Sequence, residues 1–116
     1  MSPVTLYGIA NCDTVKKART WLEAQGVAYR FHDFRADGLD AALVRVWIDT
    51  LGWETVINKR STTWKQLSPE VRDGMDSAAA VSAALEAPTL IKRPVLTRDD
   101  ATHIGFSADR YAEIFS

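Results

Sequence analysis

The stretch Pro3-Val4-Thr5-Leu6-Tyr7-Gly8-Ile9-Ala10-Asn11-Cys12-Asp13-Thr14-Val15-Lys16-Lys17 carries the single cysteine of the chain and decides how the rest is read. Residues 3–7 have the composition of a short β-strand, bounded by Gly8. A helical period begins near Asp13. Val15, Ala18, Trp21 and Leu22 recur at helix spacing, and Gly26 closes the run as a C-terminal cap. Cys12 therefore falls where a strand and a glycine-containing turn pass into a helix start. N–H groups at a helix start lack intrahelical partners and carry partial positive charge. Both favour thiolate over thiol and so populate a nucleophile near neutral pH. Lys16, one turn on and on the same face, acts in the same direction. Asp13 opposes it, and the Thr14 hydroxyl is placed to donate to the sulfur. The competing reading is a small buried hydrophobe, which is what most free cysteines are. Position alone leaves both readings open.

A lone cysteine has no intrachain partner, so a disulfide framework and a multi-cysteine zinc site are both excluded. His32 and His103 are the only histidines; each falls in an apparent strand and is assigned to structure, and no metal site is expected.

Residues 27–34 read as a second strand with Val27, Tyr29 and Phe31 on one face. Strand, helix and strand together imply two parallel strands joined by a right-handed crossover. The middle of the chain is helical. Leu39, Ala42, Leu43, Val46, Trp47 and Leu51 form an apolar stripe over about 38–51, with Asp37-Gly38 before it and Gly52 after it. Trp53 to Ile57 suits a short helix, Thr62 or Thr63 caps a turn to Leu67, and Pro69-Glu70 opens another. Asp76 or Ser77 caps a helix through Ala87, which Pro88 stops. Leu90-Ile91 leads to Pro94 and a strand at 95–97. Arg98-Asp99-Asp100 is a hairpin tip, 102–106 the return strand, and Ser107 caps a last helix carrying Tyr111, Ile114 and Phe115. With the middle removed, the order is that of a thioredoxin-like plan. The expected fold is therefore α/β: a mixed four-stranded sheet in a single domain over 1–116, with a helical insertion at about 38–87.

Composition agrees with such a domain. The 116 residues include 14 Lys+Arg and 15 Asp+Glu, for a net charge of -1, with 47% hydrophobic and 25% charged residues. That apolar content excludes disorder, and the length suits one core. No stretch approaches the roughly 20 apolar residues of a bilayer helix. The near-neutral balance argues against bulk nucleic-acid binding. Met1-Ser2-Pro3-Val4 shows no basic region followed by an apolar run, so the cytoplasm is the expected compartment; a monomer is the expected state.

Four further features bear on chemistry. Gly8 would let a substrate approach the loop backbone, although spacing alone favours an ordinary turn glycine. Arg60, after Asn58-Lys59, offers a planar fork of donors suited to oxyanions and carboxylates; a solvated surface arginine is its plainer reading. Arg93-Pro94 opens a strand, where a proline is tolerated at an edge or strand start. In a thioredoxin-like plan that proline faces the cysteine loop and is typically cis, which puts Arg93 beside Cys12. Trp21 and Trp47 lie on apolar helix faces and belong to the core; Trp53 and Trp64 line a pocket or pack, with packing favoured.

Three segments resemble one family. Tyr7-Gly8-Ile9-Ala10-Asn11-Cys12-Asp13-Thr14 followed by Lys16-Lys17-Ala18 is similar to the active-site loop of the ArsC-like reductases. Asn58-Lys59-Arg60 resembles the segment that gives that family its first oxyanion arginine. Leu90-Ile91-Lys92-Arg93-Pro94-Val95 resembles its Arg-Pro strand start. Asn58-Lys59-Arg60 with Thr62-Thr63-Trp64, and Gly105-Phe106-Ser107, are similar in particular to the YffB branch. The resemblance implies a nucleophilic Cys12 whose covalent adduct an external thiol resolves. Arg60, Arg93, Pro94, Asn11 and Gly8 would then face substrate or glutathione, and Thr14 and Lys16 would support the thiolate. Glutathione is the implied co-substrate and glutaredoxin a possible partner, with no bound cofactor. The chain departs from the arsenate reductases at Ile104-Gly105-Phe106-Ser107, where they carry an arginine, and at Gly8, where they have a histidine. Lost charged contacts to a doubly charged oxyanion cost about 1.5–3 kcal/mol each, which favours a glutathione-dependent thiol reductase over arsenate reduction. The alternatives are a glutaredoxin-coupled arsenate reductase and an Spx-like protein-binding regulator. The Spx branch often has a second cysteine where this chain has Val15, so no intramolecular redox switch is possible here.

Overall fold

The computed structural model describes residues 4–98 and 101–116. In chain order the elements are β1 (Val4–Gly8), α1 (Asp13–Ala24), β2 (Arg30–Asp33), α2 (Ala41–Leu51), α3 (Trp53–Val56), α4 (Thr62–Gln66), α5 (Pro69–Asp73), α6 (Ser77–Glu86), a 3-10 turn (Pro88–Leu90), β3 (Val95–Arg98), β4 (Ala101–Ile104) and α7 (Ala108–Ile114). They group into two compact units, one comprising residues up to Asp37 together with Arg93–Ser116, the other Gly38–Lys92.

The first unit holds the sheet, in the order β2-β1-β3-β4. β1 and β2 run parallel, with Gly8 opposite Asp33; β1 and β3 are antiparallel, with Tyr7 opposite Val95; β3 and β4 form an antiparallel hairpin. This is the mixed four-stranded, thioredoxin-like sheet that the order of elements predicts. One core of this unit joins Val4, Leu6, Ala18, Leu22, Leu96 and Tyr111, with Trp21, Val27, Tyr29, Phe31, Phe106, Ile114 and Phe115 packed against it. Tyr111 is its aromatic hub. Phe106 and Trp21 meet its ring edge-on, at centroid distances of 4.7 and 5.6 Å. Such pairs add about 0.5–1.5 kcal/mol each to area burial.

β2 is shorter than its sequence suggests, beginning at Arg30 rather than at residue 27. The cause lies in the end of α1. Gly26 adopts φ +69°, its N–H donates to Glu23 O, and the Val27 N–H donates to Leu22 O at 3.0 Å. That is a Schellman closure, which spends the Val27 amide on the helix and keeps it out of the sheet. β4 likewise ends at Ile104, not Phe106. Gly105, at φ +84°, turns the chain away and donates its N–H to Pro94 O. Arg98 pairs with Ala101 inside the hairpin instead of marking its tip; Pro3, Asp99 and Asp100 lie outside the described residues. Ser107 caps α7 as expected, its Oγ accepting from the Arg110 N–H.

In the second unit, Asp40 caps α2, so the helix starts at Ala41 rather than near 38. Its buried face is Val44, Trp47 and Ile48, while Val46, expected in the stripe, is 54% exposed. The spacing 44, 47, 48, 51 is the true i, i+3, i+4, i+7 series, and Val46 falls outside it. α2 packs on α6, whose facing residues Ala80, Val81 and Ala84 are small enough for close approach. Ser61, not a threonine, caps α4, and Ser68 caps α5 with Pro69 in its first turn. Pro88 opens a 3-10 turn where a plain stop was expected, and Ile91 makes only an isolated bridge to Ile57. Trp53 and Trp64 stack at 6.1 Å with the Lys59 ammonium over the Trp53 ring.

Candidate active site

β1 ends at Gly8, and the chain reverses in a turn closed by the Cys12 N–H donating to Ile9 O at 3.1 Å. Cys12 is the N-cap of α1, with extended φ and ψ of -110° and 126°, and its carbonyl accepts the first helical bond, from the Lys16 N–H. The half-buried sulfur thus stands at the open end of the helix. Its burial pushes the thiol pKa up, but the Val15 N–H, the hydrogen bond and charge of Arg93, and the Thr14 N–H together outweigh burial and hold it below the ordinary thiol value. The sulfur makes no cap hydrogen bond of standard geometry, so the amides act on it chiefly as dipoles aimed at its negative charge.

Arg93 arrives from the other side of the sheet. Because Tyr7 pairs with Val95, the antiparallel register carries Pro94 and Arg93 to the level of Gly8 and Ile9. The Arg93–Pro94 peptide is cis and Pro94 is buried. Cys12 and Arg93, 81 positions apart in sequence, are brought together by strand pairing within one unit.

Two of the sequence-based roles change. What Thr14 contributes to the sulfur is its backbone N–H, and the cation that acts there is Arg93 rather than the exposed Lys16. Gly8 is explained by packing. A Cβ on Gly8 would stand 2.7 Å from Val15 Cγ2, so the space beside this glycine belongs to the fully buried valine and not to a substrate. Asn11 is exposed in the turn before Cys12. Arg60 lies in the second unit, exposed, in the turn between α3 and α4, where its N–H donates to Asn58 Oδ1. Among the described residues, no three His, Cys, Asp or Glu side chains are grouped as metal ligands.

The sequence reading passed over Asp33. Its Oδ2 accepts from the Ala10 N–H at 3.3 Å, and its Oδ1 from the Arg35 and Ala36 N–H groups at 2.8 and 3.4 Å. Burial raises its carboxyl pKa, yet the N–H groups of Arg35, Ala10 and Ala36 and the Arg35 charge hold it below the usual carboxylate value. An aspartate closing a strand is a common former of side-chain turns, which is the signal by which it is legible. Beside it, His32 packs on Tyr7 with ring centroids 5.1 Å apart.

A thiol with a lowered pKa at a helix start, next to a cis-proline strand start on a mixed four-stranded sheet, defines a thioredoxin-like protein. Residues 7–114 match the ArsC family, and the chain belongs to it. A solved YffB protein is 44% identical, covering 97% of this chain and 99% of its own, with a TM-score of 0.93. An arsenate reductase (ArsC) related protein from Brucella melitensis is also 44% identical, over 97% of this chain and 94% of its own, at a TM-score of 0.80. The global transcriptional regulator Spx of Streptococcus agalactiae is 29% identical over 91% of this chain and 78% of its own length. The chain is thus related both to arsenate reductases and to Spx regulators.

Proposed function

We propose that this protein is a glutathione-dependent thiol reductase of the cytoplasm that works through the single sulfur of Cys12. The observation that carries the reading is the meeting of Arg93 with the Val15 and Thr14 amides at that sulfur. A thiolate there attacks the glutathione sulfur of a mixed disulfide. The Cys12–glutathione disulfide forms as the substrate thiolate leaves. A second glutathione thiolate then attacks the adduct, forming oxidised glutathione and restoring the Cys12 thiolate. The net change is an exchange: one free glutathione is consumed, and the substrate's mixed disulfide becomes a free substrate thiolate and oxidised glutathione. No second cysteine can intervene, because the chain has one. Arg93 stabilises the thiolate while it waits and as it leaves. Arg93 is the cation beside the sulfur offered to a carboxylate of glutathione.

The test is intact mass after incubation with oxidised glutathione. One glutathionyl group on the wild-type protein and none on Cys12→Ser is the expected result. Absence of the adduct on the wild type removes the reading. An Spx-type regulator is the second reading, supported by the 29% identity to that protein. Against a redox-switched version of it stands the fully buried Val15 at the position of a second cysteine. Retention by the C-terminal domain of the RNA polymerase α-subunit would favour regulation. Arsenate reduction is disfavoured by the absence of arginine in Ile104-Gly105-Phe106-Ser107. Turnover of arsenate with glutathione and glutaredoxin above a Cys12→Ser control would restore it.

A further inference from the structure

The loop that presents Cys12 is tied to the end of β2 through one carboxylate. Asp33 pairs with Gly8 at the last step of the parallel ladder, and the Phe34 N–H donates to Gly8 O at 2.8 Å. Past that point the two chains have no further ladder, and the Asp33 side chain takes over. One oxygen reaches across to the Ala10 N–H, inside the turn that ends at Cys12, while the other closes the 33–36 turn through the Arg35 and Ala36 amides. The turn is locked again by Asp37, whose Oδ2 accepts from the Asp33 N–H at 3.0 Å and whose own N–H donates to Asp33 O at 2.8 Å. The carboxylate is thus held by its own loop before it reaches the cysteine loop.

We propose that Asp33 is the positioning residue of the nucleophile: by gripping the Ala10 amide, it holds the Ile9–Cys12 turn so that the sulfur stays against the helix-start amides and Arg93. This rests on the thiolate reading above.

The sign of the effect separates positioning from simple charge. Removing a nearby negative charge, by itself, lowers a thiol pKa and speeds alkylation at neutral pH. Losing the grip on the turn does the opposite. Asp33→Asn keeps one carbonyl oxygen for the Arg35 and Ala36 amides but presents an NH2 to Ala10, so it cuts the tie and spares the 33–37 turn. The groups around the site are Asp37 and Arg35 on that turn, Arg93 from the β3 side and Asp13 and Lys16 on α1.

The experiment is the rate of iodoacetamide alkylation of Cys12 against pH in the wild type and Asp33→Asn. A wild-type inflection below about 8.5, with the variant's moved upward and its rate at pH 7 about three- to ten-fold lower, is expected. A depressed wild-type inflection that stays put or falls further in a folded Asp33→Asn overturns the positioning role alone. An ordinary wild-type inflection overturns the thiolate reading, and the inference with it. Should Asp33→Asn not fold, hydrogen exchange of the wild-type Ala10 amide decides instead. Strong protection is expected, and exchange at the rate of a free amide overturns the tie.

Discussion

At Cys12, partial burial and local polarity pull in opposite directions, and polarity wins because three donors, one of them charged, act on one sulfur. Arg93 is the one that combines a hydrogen bond with a full charge, so Arg93→Ala is expected to lower the alkylation rate at pH 7 about ten-fold while leaving the denaturation midpoint nearly unchanged. Alkylation profiles and urea curves of the same samples check both halves. Tyr111 shows the reverse balance. Burial holds its phenol well above the ordinary value, against the opposing charge of Arg110, and its hydroxyl has no hydrogen-bond partner among the described residues. Tyr111→Phe removes that orphan and keeps the ring contacts, so urea denaturation should show it neutral or up to about 1 kcal/mol more stable. The sequence marked Cys12 and Arg93 because chemistry attaches to residue type and to helix and strand starts. It did not mark Asp33, whose role comes from a hydrogen bond 23 positions away.

At the level of elements, the site depends on how closely α1 is seated over the end of β1. Gly8 and Val15 fix that distance, with room for the valine methyls and not for another Cβ. Gly8→Ala should therefore cost about 1–3 kcal/mol by overpacking. The Gly8→Ala, Val15→Ala pair should be non-additive, the second change relieving the first. A double-mutant cycle by urea denaturation measures the coupling, and strict additivity would refute the packing account. Element existence was legible here, because helical spacing and caps repeat along the chain: Gly26, Gly52, Pro69, Asp76 and Ser107 all act near the ends where they were expected. Boundaries were less so. Val27 reads as strand by its side chain but gives its amide to the Leu22 carbonyl, and side-chain type carries no record of that choice.

At the scale of the molecule, four titrating groups among the described residues have shifted pKa values through which stability responds to pH. Asp33 and His103 both have folded pKa values below their ordinary ones; for His103 burial is the main cause and Arg110 the second. Their contributions are present above the unfolded values, about 3.9 and 6.5, and are lost as pH falls through the folded ones. Cys12 is depressed too, so its contribution grows as pH rises and is complete above the unfolded value of about 8.5. Tyr111 is raised, so its contribution is full below about 10 and is lost above it. The denaturation midpoint should climb from pH 5 to about 9 and turn down beyond about 10. In Tyr111→Phe the alkaline fall should shrink, and in Cys12→Ala the part of the rise that ends at about 8.5 should shrink.

The order of strands and helices, the thiol at a helix start and the arginine before the third strand follow from local rules, since propensity, capping and periodicity are properties of neighbouring residues. Which face of α2 turns inward, why residue 8 has no side chain, and which donors surround the sulfur came only with tertiary structure. Each of these is set by contacts between segments distant in sequence, and a one-residue rotation or register step reassigns them all without changing the local pattern.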